Sequence, residues 1–352
     1  ALDSNRFYFQ MGITGEYVDV STYKEHSNYK VAQNASLNMA FRAYKKTFNS
    51  LGLVQKSDRG FDLVYSYPMS GDPTMFYVQQ LEGLGGLNEA YLGVAYQLGK
   101  LSLGVNAAYL FGKVEDRLTL VMQPATSGYY FKSQTLTNIS SSLFTFGFQL
   151  PLQLKKKSEL TLGGSFNFGT SLHGNQTFVA NKISNTSGAI INVNNESWEN
   201  GTVFYPFRMI VGAAYQYNKK GFWAGDYTFQ KMSAYKEFGT NREFQDYHKF
   251  AVGGALQPNE NGRYWWQRNK YTAGAYFTRS QLKSNNTNIN TYGVTIGSQL
   301  PLRLSRQELM LGVAVDLGMR GTHRNNQILE QYIKLRLNIA FKELWFMKAK
   351  IY

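Results

Sequence analysis

The most regular feature of the chain is a strict alternation of apolar and polar positions in its C-terminal part. Over one stretch every second residue is aliphatic and the residues between are mostly small or polar: Leu309, Leu311, Val313, Val315, Leu317 and Met319 against Met310, Gly312, Ala314, Asp316, Gly318 and Arg320. After a polar break the alternation returns and ends on an aromatic residue: Ile333, Leu335, Leu337, Ile339 and Phe341. A period of two predicts strands with one apolar and one polar face. Runs of about ten such residues are typical of membrane-spanning barrel strands, because strands of soluble sandwiches are about half as long.

The same alternation recurs along the whole chain and predicts about fourteen strands. Short basic turns, such as Lys45-Lys46 and Lys155 to Lys157, alternate with longer loops rich in Asn, Ser, Thr and Gly. This arrangement is typical of outer-membrane barrels, whose short turns are periplasmic. An even strand count then predicts that both termini are periplasmic and that the last strand pairs with the first. The ninth and tenth strands, about residues 222–235 and 246–256, are joined in this interpretation by a short polar loop.

We therefore predict an all-β fold: a transmembrane antiparallel up-and-down β-barrel of about 14 strands in the outer membrane of a Gram-negative bacterium. Residues 1–341 form the barrel in this interpretation. Residues 342–352 follow it as a short periplasmic extension, where a partner could bind.

Composition is consistent with an apolar wall around a polar lumen. Charged residues make up only 17% of the chain, yet the mean hydropathy is −0.35. The 352 residues include no cysteine, which excludes disulfides, thiol catalysis and cysteine-bound zinc. The four histidines lie far apart, so we expect no metal, no cofactor and no enzymatic activity. No run of 18 apolar residues exists that could form a transmembrane helix.

The net charge of +14 would indicate nucleic-acid binding in a soluble protein. Here Lys and Arg lie largely at strand ends and turns, which favours contact with anionic lipid headgroups or simple solvation. We therefore expect the lipid bilayer and its lipopolysaccharide as partners, together with a hydrophobic small molecule. Envelope protein subunits are further candidates, and no nucleic acid is expected.

Two blocks of sequence carry a more specific signal. Residues 79–93 read QQLEGLGGLNEAYLG and continue into LSLGVNAAYLFG at 101–112, and a second block covers 320–346. Together they resemble the FadL-like outer-membrane proteins. The resemblance implies a fourteen-stranded barrel that moves hydrophobic molecules passively across the outer membrane. It also implies an N-terminal hatch that plugs the lumen and a kinked wall strand that opens sideways into the bilayer.

The sequence departs from this family at its start. Asn5 already begins a strand, with no preceding hatch segment or Asn-Pro-Ala-type motif, so either this family member lacks the hatch or the hatch lies outside this sequence. Two hypotheses for the function follow. The first is a channel or transporter for passive passage or binding of small hydrophobic or amphiphilic molecules of the long-chain fatty-acid type. The alternative is a non-transporting accessory barrel of a larger export or assembly complex, because FadL-like barrels also serve protein export and fold alone does not determine cargo.

Four charged residues face the lumen by parity: Asp316, Lys334 and Arg336 on neighbouring strands, and Arg208 elsewhere in the barrel. One interpretation is an ion-pair network that stiffens the barrel. The other is a polar anchor for the carboxylate of an amphiphile, above an apolar wall that would contain Leu110, Leu143, Ile210 and Met310. Apolar side chains that face a polar lumen favour a greasy ligand.

Glycines and aromatic residues give two further candidate sites. Gly83, Gly85 and Gly86 predict a bend or bulge in the fourth strand, which could equally be a lateral gate. Inward glycines near mid-strand, such as Gly93 and Gly293, either relieve crowding or leave space for a plug, a ligand or a passage. Four aromatic residues form either a membrane-interface girdle or a docking surface for a partner: Trp265, Trp266, Trp345 and Phe346.

Overall fold

The computed structural model describes residues 6–22, 26–124, 128–218, 220–284, 287–304, 307–323 and 328–344. Nearly all of them lie in strands, and the exceptions include a 3-10 turn at Met232–Ala234 and the short helix α1 at Trp265–Arg268. The strands are β1 (Arg6–Ser21), β2 (His26–Tyr44), β3 (Thr47–Asp58), β4 (Phe61–Met69), β5 (Asp72–Leu98), β6 (Leu101–Gln123), β7 (Tyr129–Lys155), β8 (Ser158–Asn167), β9 (Thr170–Ser184), β10 (Ile190–Tyr205), β11 (Arg208–Tyr217), β12 (Gly221–Gln230), β13 (Lys236–Glu237), β14 (Thr240–Asn241), β15 (Tyr247–Leu256), β16 (Lys270–Ser284), β17 (Thr287–Leu304), β18 (Gln307–Gly321) and β19 (Leu329–Leu344).

These strands form a closed antiparallel barrel of 14 transmembrane strands, which confirms the predicted fold class. Three of the fourteen are interrupted, so that β3 and β4, β8 and β9, and β10 and β11 each count as one. The two-residue strands β13 and β14 do not cross the membrane and are not counted. The barrel closes where β1 pairs with β19, in the register Phe9↔Phe341 and Ile13↔Leu337. The last strand therefore pairs with the first, as the alternation predicts.

The alternating positions separate to the two faces of the wall. On β18 and β19 the outward side chains Val313 and Leu335 are 40% and 45% exposed, whereas the inward Asp316 is 1% exposed. The outward apolar side chains contact lipid when the barrel is in a bilayer, so their exposure on the isolated barrel is that of a lipid-facing apolar band.

The wall is much taller on one side than on the other. β5 and β7 are each 27 residues long, whereas β12 and β15 have 10 residues each. A strand needs about ten residues to cross the membrane, so the longest strands continue far beyond it. On the side of the long loops β4, β5, β6, β7, β9 and β10 form one continuous sheet, which we call the tall sheet.

The third transmembrane strand is interrupted at Arg59 and Gly60. The Arg59 backbone N–H donates to the Gly85 carbonyl oxygen at 2.8 Å, and its guanidinium pairs with Asp116 at 2.8 Å. β2 pairs with β3 from Tyr44↔Thr47 to Leu37↔Leu53. Beyond that point, in the described residues, β2 pairs with β1 alone and β4 with β5 alone. We call this interruption of the wall the β2–β4 gap.

The short polar loop predicted between the ninth and tenth strands is instead a folded segment that turns into the lumen. We call residues 231–246 the lumenal segment. Its strand β13 pairs with β10 (Val203↔Glu237), and Tyr235 and Phe238 pack on a cluster of inward-facing residues. The cluster, which we call the lumenal core, contains Leu110, Ile139, Leu172 and Val203. The sequence interpretation was wrong here because the segment is polar overall. Two aromatic residues pack on the lumenal core, and its other contacts with the barrel include hydrogen bonds, such as that from the Phe238 N–H to the Thr202 carbonyl oxygen.

Candidate functional site

The lumen contains a polar chamber of about 710 Å³ on the side opposite the lumenal core. Its lining comes mainly from β15 to β19, the strands that carry three of the four inward charges predicted from parity, whereas Arg208 lies on β11. The lining includes Tyr247, Lys249, Tyr276, Asp316, Arg320, Glu330, Tyr332, Lys334 and Arg336. The chamber therefore brings Asp316, Lys334 and Arg336 together, as the sequence predicts.

Two tyrosines and two glycines form one row across the wall of this chamber. Tyr276, Gly293, Gly318 and Tyr332 lie directly opposite one another on β16, β17, β18 and β19. The two tyrosine hydroxyl oxygens are 2.7 Å apart, so the side chains meet above the glycines. A Cβ atom on Gly293 would overlap the ring of Tyr276, and one on Gly318 would lie 2.5 Å from Cζ of Tyr332. The glycines leave room for both rings to lie against the wall.

Asp316 joins this row to a basic side chain. Its Oδ1 accepts a hydrogen bond from the Tyr276 hydroxyl at 2.9 Å, and its Oδ2 accepts one from Nη2 of Arg336 at 2.9 Å. Nearby, Nζ of Lys334 lies 3.0 Å from Oε1 of Glu16. A buried carboxylate is tolerated when hydrogen bonds and an opposite charge compensate it, and Asp316 has both. The arrangement is that of a network that ties β1, β16, β18 and β19 together.

Two cations near the chamber have no carboxylate partner among the described residues. The Lys249 ammonium is repelled by Arg336, Arg208 and Lys334, and Asp316 attracts it. Lys249 also lies over the ring of Tyr276, 5.1 Å from the centroid. Nε of Arg208 is buried without a hydrogen-bond partner in the described structure. The positive charges of Arg208 and Lys249 are therefore less neutralised than those of Arg336 and Lys334, which have carboxylate partners.

The four apolar residues predicted beneath the charged network are placed elsewhere. Leu110 belongs to the lumenal core, and Leu143 is 2% exposed on β7. Ile210 lines a separate cavity of about 370 Å³ on β8 and β11. Met310 lies opposite Pro301 near the short-turn end of β18. The structure thus does not bring these side chains together below Asp316.

The three glycines predicted as a bend or gate lie in an unbroken strand. β5 pairs continuously with β6 through Gly83, Gly85 and Gly86, and the interruption lies on the neighbouring β3 and β4. A Cβ atom on Gly83 would overlap the Phe61 ring, and one on Gly86 would overlap the carbonyl oxygen of Ser57. Gly85 has a φ of +91°, which favours glycine. These glycines accommodate the interrupted neighbour strand rather than interrupt their own.

The aromatic residues of the predicted girdle are only partly described. Trp265 and Trp266 lie in α1, on the short-turn side, with exposures of 61% and 48%. Trp266 stacks on Tyr264 at a centroid distance of 6.1 Å. Trp345 and Phe346 lie outside the described residues. Both interpretations of this set, girdle and partner docking, stay predictions.

Sequence reasoning missed four members of the network: Glu16, Lys249, Tyr276 and Tyr332. Tyr332 and Lys249 could have been found, because parity assigns both to the inward face. Glu16 lies at the opposite end of the chain from Lys334, and Tyr276 reaches Tyr332 over Gly293 and Gly318 on the two strands between them. Both contacts depend on the register in which the strands pair, which the sequence does not show. In the described chain no group of three or more His, Asp or Glu residues could hold a metal ion. No helix within it is long and apolar enough to cross a membrane.

We expect Gly318→Ala to lower the free energy of unfolding in lipid vesicles by about 1–2 kcal/mol. The new Cβ atom would meet the far end of the Tyr332 ring, so the ring swings away and gives up its hydrogen bond with Tyr276. Gly15→Ala is the matched control, because nothing lies within 4 Å of a Cβ atom there. In a Tyr332→Ala background the cost of Gly318→Ala should vanish; an unchanged cost would contradict this account.

Comparison with known proteins places the chain in a wider group. A family model described as BamG matches residues 2–352, and no curated protein matches the chain. Among solved structures it is similar to a Pseudomonas aeruginosa FadL homologue, with 10% identity, 97% of this chain and 90% of that chain covered, and a TM-score of 0.63. It is also similar to the Pseudomonas putida toluene transporter TodX, with 15% identity, 98% of this chain and 90% of that chain covered, and a TM-score of 0.61. The Ralstonia pickettii toluene transporter TbuX is similar with 13% identity, the same two coverages of 98% and 90%, and a TM-score of 0.56. At these identities the likeness concerns the fold.

A closed antiparallel barrel with a lipid-facing apolar band is the architecture of Gram-negative outer-membrane proteins. The chain is therefore an outer-membrane protein, and its resemblance to FadL-like barrels holds at the level of the fold. The absence of a hatch stays a prediction.

Proposed function

The chain belongs to the BamG family, and on that premise we propose that it is a non-transporting accessory barrel of an outer-membrane assembly or export complex. The observation that carries this proposal is the burial of the lumenal core. Leu110 and Leu172 face the lumen and are each only 1% exposed. A fourteen-stranded barrel is wide enough to leave inward side chains in water unless something covers them. Tyr235 and Phe238 of the lumenal segment provide that cover.

Three of the inward glycines support the same proposal. They would favour transport if they left free space along the lumen. Instead, neighbouring side chains occupy the space at Gly293 and Gly318, and Asp226 does so at Gly212. The ion pairs of Asp316 and Lys334 join neighbouring strands along the wall of the polar chamber, as expected of a stiffened barrel. A lumen partly occupied by the lumenal segment fits a structural subunit, and the family name BamG is compatible with that role.

We further propose that the long loops and the tall sheet lie at the cell surface and that both termini are periplasmic, since outer-membrane barrels place long loops outside. The chain has no cysteine, so a single introduced cysteine gives an unambiguous reporter. Ser187→Cys, in the β9–β10 loop, should react with a membrane-impermeant maleimide in intact cells, and Lys156→Cys in the β7–β8 turn should not. The reverse pattern would overturn the orientation.

Native purification tests the accessory role. We expect the barrel, extracted in mild detergent from its own membranes, to elute with at least one other envelope protein at fixed stoichiometry. Reconstituted alone in planar bilayers, it should give no channel steps, because the lumenal segment obstructs its lumen. Recovery as a free barrel that conducts ions or carries a bound amphiphile would contradict the proposal.

A hydrophobic-molecule channel is the second candidate function, and the β2–β4 gap favours it. A cavity of about 320 Å³ beside the gap is lined by Ser57, Asp58 and Gly60, and it shares Arg320 and Lys334 with the polar chamber. A hydrophobic molecule would pass from the bilayer through the β2–β4 gap and this cavity into the polar chamber. The fold relatives TodX and TbuX are described as toluene transporters.

In this second case the ligand is a small amphiphile whose carboxylate meets Arg208 and Lys249. Native mass spectrometry of the barrel with decanoate should then show a bound ligand, lost at least about tenfold on Lys249→Gln. Lys132→Gln on the tall sheet is a matched control that leaves binding unchanged. Absence of decanoate binding by the unmodified barrel would rule out this candidate.

A further inference from the structure

The tall sheet carries an apolar surface on the face that continues the lumenal side of the wall. Leu110 on β6 belongs to the lumenal core, and Leu87 on β5 packs against it. Leu118 and Leu120 are an even number of residues from Leu110, and Leu81 is an even number from Leu87. These three leucines therefore lie on the same face of the sheet as the lumenal core. The strand register arranges this surface, which we call the aromatic patch, in three rows: Leu63, Leu81, Leu118 and Ser133; Tyr65, Gln79, Leu120 and Phe131; Tyr67, Tyr77 and Met122. All but two of these eleven side chains are apolar or aromatic.

The patch remains accessible. Tyr67 and Phe131 are 51% and 48% exposed, and the other apolar members are half-buried by their neighbours on the sheet. Exposed contiguous apolar surface on a folded protein usually marks a binding site. The residues of the row below have a different role, because the Phe61 ring lies over Gly83.

The position of the patch argues against lipid as its occupant. On β5 the outward apolar band of alternate residues runs from Leu98 to Ala90, and Asn88 follows on the same face. Leu81 and Tyr77 lie 9 and 13 residues beyond Ala90, which at about 3.3 Å per residue is about 30 to 43 Å along the strand. They also point to the opposite side of the sheet from the lipid-facing band. The patch therefore lies outside the bilayer and faces the space above the barrel mouth.

The patch ends at a strand with an unused edge. In the described residues β4 pairs with β5 alone, so along Phe61–Tyr67 the backbone groups on its other side have no ladder partner. Pro68 has no N–H to donate, which confines any added ladder to the residues before it. A free edge beside an apolar sheet face is the geometry for strand addition, in which main-chain hydrogen bonds give affinity and alternate side chains extend the face.

We propose that an extended segment of a partner protein adds to the free edge of β4 and lays alternate apolar side chains beside Leu63, Tyr65 and Tyr67. This inference rests on the proposed accessory role and specifies where a subunit binds. The added strand would continue the three rows of the aromatic patch by one position each. It would also fill part of the β2–β4 gap.

Amide hydrogen exchange and site-specific crosslinking test this inference on the native complex and on the barrel purified from it. In the complex, exchange of amides within residues 61–67 should slow by about tenfold or more relative to the isolated barrel. A photo-reactive residue at Leu63 or Tyr65 should crosslink in intact cells to one extended partner segment. The matched controls Val64 and Ser66 are the next residues on the opposite face and should give no such product.

The outcomes separate the inference from the proposed function. Protection of β4 together with adducts on alternate residues of one partner segment supports both. A stable complex in which residues 61–67 exchange as fast as in the isolated barrel overturns the strand addition but leaves the accessory role intact. Equal crosslinking at patch and control positions, or adducts with glycolipid only, also overturns it. Recovery of a barrel without any bound protein overturns both.

Discussion

Replacing the lumenal segment with a short turn should convert the protein into an open pore. Gln230 at the end of β12 lies directly opposite Tyr247 at the start of β15, so residues 231–246 can be replaced by an Asn-Gly hairpin turn without moving either strand. The replacement removes Tyr235 and Phe238 and leaves the lumenal core facing water. Because the segment pairs with β10 through only two residue pairs, we expect the barrel to fold without it.

Planar-bilayer recording measures the effect. The unmodified barrel should show no channel steps, and the shortened barrel should conduct ions at a level at least about tenfold above the detection limit, as expected of a water-filled barrel. Replacement of residues 185–189 in the β9–β10 loop by the same turn is the control and should leave conductance unchanged. A shortened barrel that folds and stays closed would show that the lumenal core is covered by something other than this segment.

The fold was largely predictable because a barrel wall imposes one simple rule on the sequence. The alternation from Leu309 to Met319 predicted the faces of β18, and the even number of strands predicted the pairing of β1 with β19. Successive side chains of a strand point to opposite faces of the wall, so the alternation of apolar and polar residues within one strand is enough to assign its lipid-facing side. Asp316, Lys334 and Arg336 were predicted to lie together for the same reason.

The features that the sequence could not predict are those that depart from the alternation of apolar and polar residues. The lumenal segment is polar and irregular, and its two anchoring aromatic residues resemble any others in a chain that is 15% aromatic. The β2–β4 gap arises at Arg59 and Gly60, whereas the most prominent glycines in the sequence lie on the neighbouring unbroken strand. Leu110 and Leu143 were correctly assigned inward, but parity cannot tell which inward residues share one side of a lumen.

Asp316→Asn should lower the free energy of unfolding in lipid vesicles by about 2–4 kcal/mol. The substitution keeps the shape of the side chain but removes the charge that Arg336 and the Tyr276 hydroxyl share. Asp316 is 1% exposed, so water does not replace the lost interactions, although half-exposed Arg336 recovers part of its solvation. Asp226→Asn is the control, because Asp226 is an exposed carboxylate on β12 without an ion pair among the described residues. Its effect should stay within about 0.5 kcal/mol.

The double variant Asp316→Asn with Arg336→Gln decides between the two interpretations of the charged network. If the pair stiffens the barrel, the double variant should be more stable than Asp316→Asn alone, because no unpaired guanidinium remains, and the coupling should be about 1–3 kcal/mol without any ligand. If Arg336 instead anchors a carboxylate, Asp316→Asn frees it from its competitor, so decanoate should bind more tightly even as stability falls. The geometry favours the first outcome, since the shared carboxylate already takes one donor from Arg336 and one from Tyr276. A single variant with unchanged stability and stronger decanoate binding would overturn that interpretation and favour the channel.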